Sequence, residues 1–171
     1  RRGGRLARFG HDHVVSARNM FGYLSVAGAN PAGSRADLRL KVTSLAVDDP
    51  LARRKFKLDT NPSQADIENT SKNMQGKVLE SDKWPQVHLN IDVTGGTLDA
   101  LEADLTVTLH GQQVALPIVM QVEELTPGQL IAFGSLHLTQ SAFGIKPFSA
   151  LGGGLYGKDT IEVHYRLVAK R

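Results

Sequence analysis

The segment from residue 73 to 93 constrains the fold more than any other part of the chain, because the spacing of its apolar residues changes inside it. The Asn-Pro-Ser triplet at 61–63 and the glycine at position 76 are typical start and stop signals of a short helix. After Pro85 every second residue is apolar, which is the period of a strand that is buried on one face. The sequence therefore predicts one short helical insertion followed directly by a half-buried strand.

The same period of two recurs along the chain, with turn signals between the segments. Further strands are predicted at 36–47, 104–110, 114–122, 130–140 and 160–168, and two shorter ones within 11–28. Gly95-Gly96 and His110-Gly111 predict hairpin turns. Pro117 predicts a sheet edge or a bulge, since proline cannot donate to a ladder. About eight antiparallel strands of this kind predict an all-β barrel or sandwich.

Length and charge predict one folded domain with a basic start. A chain of 171 residues suffices for a single domain, 1–171, with a full-sized core. The segment 1–10 holds four arginines and no acid, so we expect it to be flexible, and the rest of the chain sets 16 basic against 17 acidic residues. We therefore expect no nucleic-acid partner for the folded body. No apolar run approaches the ~20 residues of a transmembrane helix, and no export signal is recognisable.

A possible chemical site lies at His11-Asp12-His13. Residues two apart on a strand point the same way, so both imidazoles could bind one transition-metal ion. His110 and His137 are the candidates for a third ligand. The alternative is that the two histidines only form hydrogen bonds at the rim of the fold. The metal hypothesis would make the chain a metal carrier or a metal-dependent enzyme.

Four motifs, in order along nearly the whole chain, resemble one known family. They are NMQGKVLESDKWPQVHL at 73–89, LTVTLHGQQVALPIVMQV at 105–122, SAFGIKPF at 141–148 and DTIEVHYRLVA at 159–169. In this order they resemble the YceI-like polyisoprenoid-binding family. The segments 10–15 and 21–24 depart from the pattern of that family, so the chain resembles a divergent branch of it.

The resemblance implies an eight-stranded antiparallel lipocalin-like barrel with one helix, which encloses an apolar chain molecule without catalysing a reaction. It also implies a bacterial protein of the periplasm or a secreted one. The ligand would be an isoprenoid or a fatty-acid-like lipid. The residues expected to line the ligand lie on apolar strand faces or are phenylalanines of the later strands and loops: Leu89, Ile91, Val107, Leu109, Leu116, Ile118, Met120, Phe133, Phe143 and Phe148.

The ordinary alternative for each of these residues is a place in a filled core. A chain with a filled core would be a structural or interaction module, with a homodimer contact through an edge strand near Pro117. Whether the interior is hollow or filled is therefore the question that the sequence poses and leaves open.

Overall fold

The computed structural model describes residues 2–5, 8, 10–28 and 30–170. Its strands are β1 (Arg2–Gly3), β2 (Val15–Ala17), β3 (Met20–Ser25), β4 (Arg35–Lys41), β5 (Leu45–Val47), β6 (Gln86–Thr97), β7 (Ala100–Leu109), β8 (Gln112–Thr126), β9 (Gln129–Thr139), β10 (Ser149–Ala150), β11 (Leu155–Gly157) and β12 (Thr160–Lys170). Its α-helices are α1 (Pro50–Lys55) and α2 (Gln64–Asn73), and α2 continues into a π-helix, Met74–Val78.

One large antiparallel sheet forms the body of the molecule. It has seven strands in the order β12-β9-β8-β7-β6-β4-β3. The short strands form two small sheets, β2-β5 and β1-β11-β10. The predicted all-β antiparallel class is confirmed, with seven strands in the main sheet instead of eight. The difference arises at the N-terminus, where β2 and β3 are consecutive but pair with different strands, β5 and β4.

The segment 1–10 is partly paired, although we expected it to be flexible. The Arg2 backbone N–H donates to Asp12 Oδ1 over 2.8 Å, and β1 pairs with β11. Arg2 Nη1 also donates to the Gly10 carbonyl over 3.2 Å. Residues 1, 6, 7 and 9 of this segment lie outside the described residues.

The helical insertion starts where the sequence predicts and ends later. The Ser63 side chain accepts from the Asp66 backbone N–H, while the Asp66 side chain accepts from the Ser63 backbone N–H, which is a capping box. Gly76 does not stop the helix, because it lies inside the π-helix Met74–Val78. The helix ends at Val78, and Glu80 follows with a left-handed φ of 45°. A second short helix, α1, follows Asp49 as its N-cap where only a connection was expected.

Of the two predicted hairpin turns, one is confirmed. His110 and Gly111 have φ of 53° and 73° and connect β7 to β8. The prediction of a turn at Gly95-Gly96 is wrong, because β6 runs on to Thr97 and the register with β7 shifts between Val93 and Gly95. Glycine supplies a bulge and a close approach here: a Cβ on Gly96 would lie 2.2 Å from the Ala100 carbonyl oxygen.

The strand registers bring apolar residues together on one face of the main sheet, which we call the apolar face. In one row across the sheet, Leu38 lies opposite Leu89, which lies opposite Val107, which lies opposite Val114. Flat, seven strands spaced ~4.8 Å apart would extend over roughly 29 Å. A single core cluster contains Leu40 on β4, and Tyr165 on β12 packs against it. The sheet curls around this apolar face as a lipocalin-like half-barrel.

The strands β8 and β9 diverge after a short stretch of pairing. Counted from the turn that connects them, their register pairs end at Gln121 opposite Phe133. Beyond this pair, β8 lies beside β7 alone and β9 lies beside β12 alone. Pro117 lies in the diverging part, opposite Asp104 of β7. The predicted edge at this proline is confirmed. The half-barrel thus consists of two parts, β3-β4-β6-β7-β8 and β9-β12, joined over Gln121–Thr126.

Candidate functional site

The candidate site is the apolar face of the half-barrel. Seven of the ten residues predicted to line a ligand lie on it by strand register: Leu89, Ile91, Val107, Leu109, Leu116, Ile118 and Met120. Phe143 joins them from a 3-10 turn, Gln140–Phe143, and is 1% exposed. The carboxylate of Asp159 fixes this turn by accepting from the Ser141 backbone N–H and hydroxyl, over 2.8 and 2.6 Å.

The other two predicted lining residues lie elsewhere. Phe133 lies opposite Gln121 and Arg166 in the ladders, which places it on the other face of the sheet. Its neighbours Ala132 and Gly134 lie on the apolar face instead. Phe148 lies beyond the 3-10 turn and is 45% exposed.

The chain's own side chains do not fill the apolar face completely. Val107 and Met120, in the middle of it, are 3% and 5% exposed. Around them, residues on the same face contact the core but remain only half-buried: Leu38, Leu89, Leu109, Val114, Leu116, Val122, Leu136 and Leu138. These residues therefore keep part of their apolar surface accessible. Covering it with an apolar ligand would be favourable.

One hydroxyl lies on this face. Tyr165 on β12 lies opposite Gly134 on β9, and its Oη is buried without a hydrogen-bond partner among the described residues. A Cβ on Gly134 would lie 2.4 Å from that oxygen, so the phenol ring lies across the glycine. Burial raises the pKa of Tyr165, and the hydroxyl therefore stays protonated at neutral pH.

A charged cluster connects the N-terminal segment to α1. Asp48 takes a left-handed conformation, φ 55°, and its carboxylate is fully buried. It accepts from the Val14 backbone N–H over 3.1 Å and lies 2.5 Å from His13 Nδ1 and 2.6 Å from Arg53 Nη1. Burial by itself raises the pKa of Asp48, but the hydrogen bonds from His13, Val14 and Arg53 outweigh it and lower the pKa below its usual value.

Arg53 is the residue of this cluster that the sequence did not reveal. Its guanidinium also donates to the Asp12 carbonyl over 2.9 Å and to the Thr60 carbonyl, and its side chain is 12% exposed. It lies in a basic run whose other members, Arg54, Lys55 and Lys57, are exposed as in the expected solvated connection. No local pattern distinguishes Arg53, because its partners come from distant parts of the chain.

The structure brings His11 and His13 together, with ring centroids 6.2 Å apart. His11 Nε2 lies 3.9 Å from Asp66 Oδ2, and His13 is bonded to Asp48. Hydrogen bonds from the Ser63 side chain and backbone lower the pKa of Asp66, and the charge interaction with His11 and His13 lowers it further. In the part of the chain that the structure describes, however, no group of three or more His, Asp or Glu side chains is placed to hold a metal ion.

The two candidates for a third metal ligand lie in other surroundings. His110 Nδ1 lies 3.2 Å from the Phe143 carbonyl, and its Nε2 lies 3.7 Å from Glu80. His137 is exposed on β9, on the face opposite the apolar one. Metal binding by His11 and His13 stays a prediction.

Two clefts have charged side chains in their lining. The larger, of about 490 Å³, is lined mainly by residues on the opposite face of β9 and β12, including Phe133, His164 and Arg166, with Lys55 at the end of α1, and it also borders Gly134 and Tyr165. The smaller, of about 360 Å³, lies beside the charged cluster and is bordered by Arg53, Lys57 and other residues of the 48–67 region. Both have charged borders, unlike the apolar face.

A curled antiparallel sheet with an apolar inner face and a short helical insertion defines the class of lipocalin-like β-barrel proteins. Within that class the chain belongs to the YceI-like family, because the family model of the YceI-like domain matches residues 6–169. The predicted family is confirmed. A search of curated proteins finds no match.

Solved structures show the same fold. BcnA of Burkholderia cenocepacia superposes with a TM-score of 0.68 at 14% identity, covering 91% of this chain and 87% of its own. The YCEI protein of Campylobacter jejuni gives 0.66 at 11% identity, covering 92% and 84%. A polyisoprenoid binding domain from Saccharophagus degradans gives 0.59 at 14% identity, covering 92% and 91%. At these identities the likeness establishes the fold alone.

Proposed function

We propose that this protein binds and carries an apolar chain molecule, an isoprenoid or another lipid, on the apolar face of its half-barrel. The observation that carries the proposal is the incomplete burial of that face: Leu38, Leu89, Leu116 and Leu136 contact the core and remain half-buried. The protein would act without catalysis, in the bacterial periplasm or outside the cell. No helix among the described residues is long and apolar enough to cross a membrane.

The dimensions of the face suit an extended chain. From Val87 to Val93 along β6 the apolar residues alternate without interruption, and a rise of ~3.4 Å per residue gives roughly 20 Å. Burying hydrocarbon there would contribute roughly 0.8 kcal/mol per CH2 group. Membership of the YceI-like family and the likeness to a polyisoprenoid binding domain support the same ligand class.

The first test is native mass spectrometry of the purified protein, followed by solvent extraction of the same sample and metal analysis. We expect an added mass that leaves with organic solvent, or one that appears when a defined isoprenoid alcohol is added. A stoichiometric transition-metal ion with no lipid uptake would instead support the metal hypothesis for His11 and His13. Protein that takes up neither would contradict the proposal.

The second test blocks the apolar face. Leu116 is half-buried there, so Leu116→Trp adds bulk where the ligand would lie and has room to be accommodated. Val119 lies on the same strand, 59% exposed on the other face, and Val119→Trp is the matched control. We expect Leu116→Trp to reduce isoprenoid uptake at least tenfold and Val119→Trp to leave it unchanged. Equal uptake by both variants would place the ligand elsewhere.

A further inference from the structure

Tyr165 is the hydroxyl on an otherwise apolar part of the half-barrel. On the neighbouring strands, alternate residues of the apolar face are Ala132, Gly134, Leu136 and Leu138 on β9 and Val114, Leu116, Ile118, Met120 and Val122 on β8. The adjacent charged side chains of β12, His164 and Arg166, lie opposite Ser135 and Phe133 and therefore on the other face. The residues next to Tyr165 on its own face of these strands are therefore apolar, while the cleft that Tyr165 also borders has Lys55 and Arg166 in its lining.

The Tyr165 hydroxyl is buried and has no hydrogen-bond partner among the described residues. Native proteins rarely leave a buried polar group unpaired, since it loses its hydrogen bonds to water and gains none in return. The ring lies across Gly134, whose missing side chain leaves the space that Oη occupies. A ligand that supplied an acceptor there would remove the penalty of the unpaired hydroxyl.

The charge of such an acceptor follows from the surroundings. A carboxylate or phosphate on this face would lie among the apolar side chains of β8 and β9, because Arg166, the cation next to Tyr165 on β12, lies on the other face. An unpaired charge in such surroundings is strongly unfavourable. A carbonyl, ether or hydroxyl oxygen can accept one hydrogen bond at a much lower desolvation cost. The protonated phenol is a suitable donor to an oxygen of this kind.

We propose that Tyr165 donates a hydrogen bond to a neutral oxygen of the bound chain molecule, so that the preferred ligand is a long apolar chain with one neutral polar group. This inference rests on the proposed function and specifies its ligand. Hydrocarbon without an oxygen and chains with a charged head would both bind less well.

The test compares three chains of equal carbon number: hexadecane, methyl tetradecyl ketone and hexadecanoate. Their affinities are measured by equilibrium dialysis with chromatographic quantification of the bound chain. We expect the protein to bind the ketone about three- to tenfold more tightly than the alkane, the range of a single net hydrogen bond. Tyr165→Phe should abolish this preference and keep the affinity for the alkane. Tyr23→Phe, at a residue 85% exposed on the other face, should change neither.

The outcomes separate this inference from the proposed function. If both neutral chains bind equally well and Tyr165→Phe changes nothing, the inference is refuted while lipid binding stands. If hexadecanoate binds more tightly than the ketone, the neutral-ligand conclusion is refuted. If none of the three chains binds, the proposed function itself fails. Gly134→Ala provides a second variant, because its Cβ would displace the hydroxyl, and it should also lower the preference for the ketone.

Discussion

Replacing Asp48 by asparagine removes the charge at the centre of the cluster that joins the N-terminal segment to α1. Asparagine keeps the size of the side chain and tolerates the left-handed backbone, so the change isolates the charge. The carboxylate bonds to Val14, His13 and Arg53. A hydrogen bond to a charged group contributes about 1 kcal/mol more than one to a neutral group. Three weakened bonds should therefore lower the free energy of unfolding by about 3 kcal/mol, which is at the low end of the range for a broken buried ion pair.

Urea unfolding followed by circular dichroism measures this loss. With a slope of about 2 kcal/mol per molar urea, the midpoint should fall by about 1.5 M at pH 7 with the slope unchanged. Asp92 forms an ion pair with Arg35 in which both side chains are more than half exposed, and Asp92→Asn is the control. We expect it to change the free energy of unfolding by less than about 1 kcal/mol.

The pH dependence gives an independent check on the same residue. The bonding to Asp48 lowers its folded-state pKa below 3.8, the ordinary value. A lowered pKa stabilises the folded state above the unfolded-state pKa, and this contribution disappears as the pH falls through the folded-state value. The difference in free energy of unfolding between the native protein and Asp48→Asn should therefore have its full value above about pH 5 and become smaller below pH 4. A loss under about 1 kcal/mol at pH 7, or a difference independent of pH, would refute the ion-pair explanation.

Three further substitutions test the local structure through the same unfolding measurement. Arg53→Lys should lower the free energy of unfolding by about 2 kcal/mol, because lysine cannot reproduce the forked donation. The control Arg54→Lys, at an exposed residue, should change it by almost nothing, and equal effects would contradict the role given to Arg53. Ser63→Ala should cost about 1 kcal/mol through loss of the capping box, and a neutral result would mean that α2 does not depend on its cap. Gly111→Ala should cost about 2–4 kcal/mol, since φ is 73° and the new Cβ would lie 2.4 Å from the Trp84 ring; preserved stability would exclude that packing.

Strand positions were predictable because the alternation of apolar residues is local. Every second residue is apolar from 87 to 93, from 105 to 109 and from 114 to 122, and the structure places these apolar residues on one face. Phe133 was misplaced because it was chosen for its aromatic side chain. Its position is out of phase with Leu136 and Leu138, and that phase is the signal that could have assigned it correctly.

Pairing between distant residues could not be predicted in the same way. His13 and Asp48 lie 35 positions apart. The Asp-Asp-Pro run at 48–50 favours a turn, but it does not show that the left-handed backbone at Asp48 brings these two residues together. The predicted turn at Gly95-Gly96 failed for a related reason, because two glycines fit a bulge as well as a turn. Only the partner strand decides between the two.

The short pairing of β8 with β9 has a consequence for motion. Among the described residues, strand pairing joins the two parts of the half-barrel over Gln121–Thr126, whereas β9 and β12 pair along their whole length. Structural units that share so few bonds can separate transiently while each stays folded. Amide hydrogen exchange should therefore be faster at the β8–β9 junction than inside the β9–β12 ladder. For the ligand of the proposed function, this separation offers a way in sideways between the parting strands, rather than end-first through an opening.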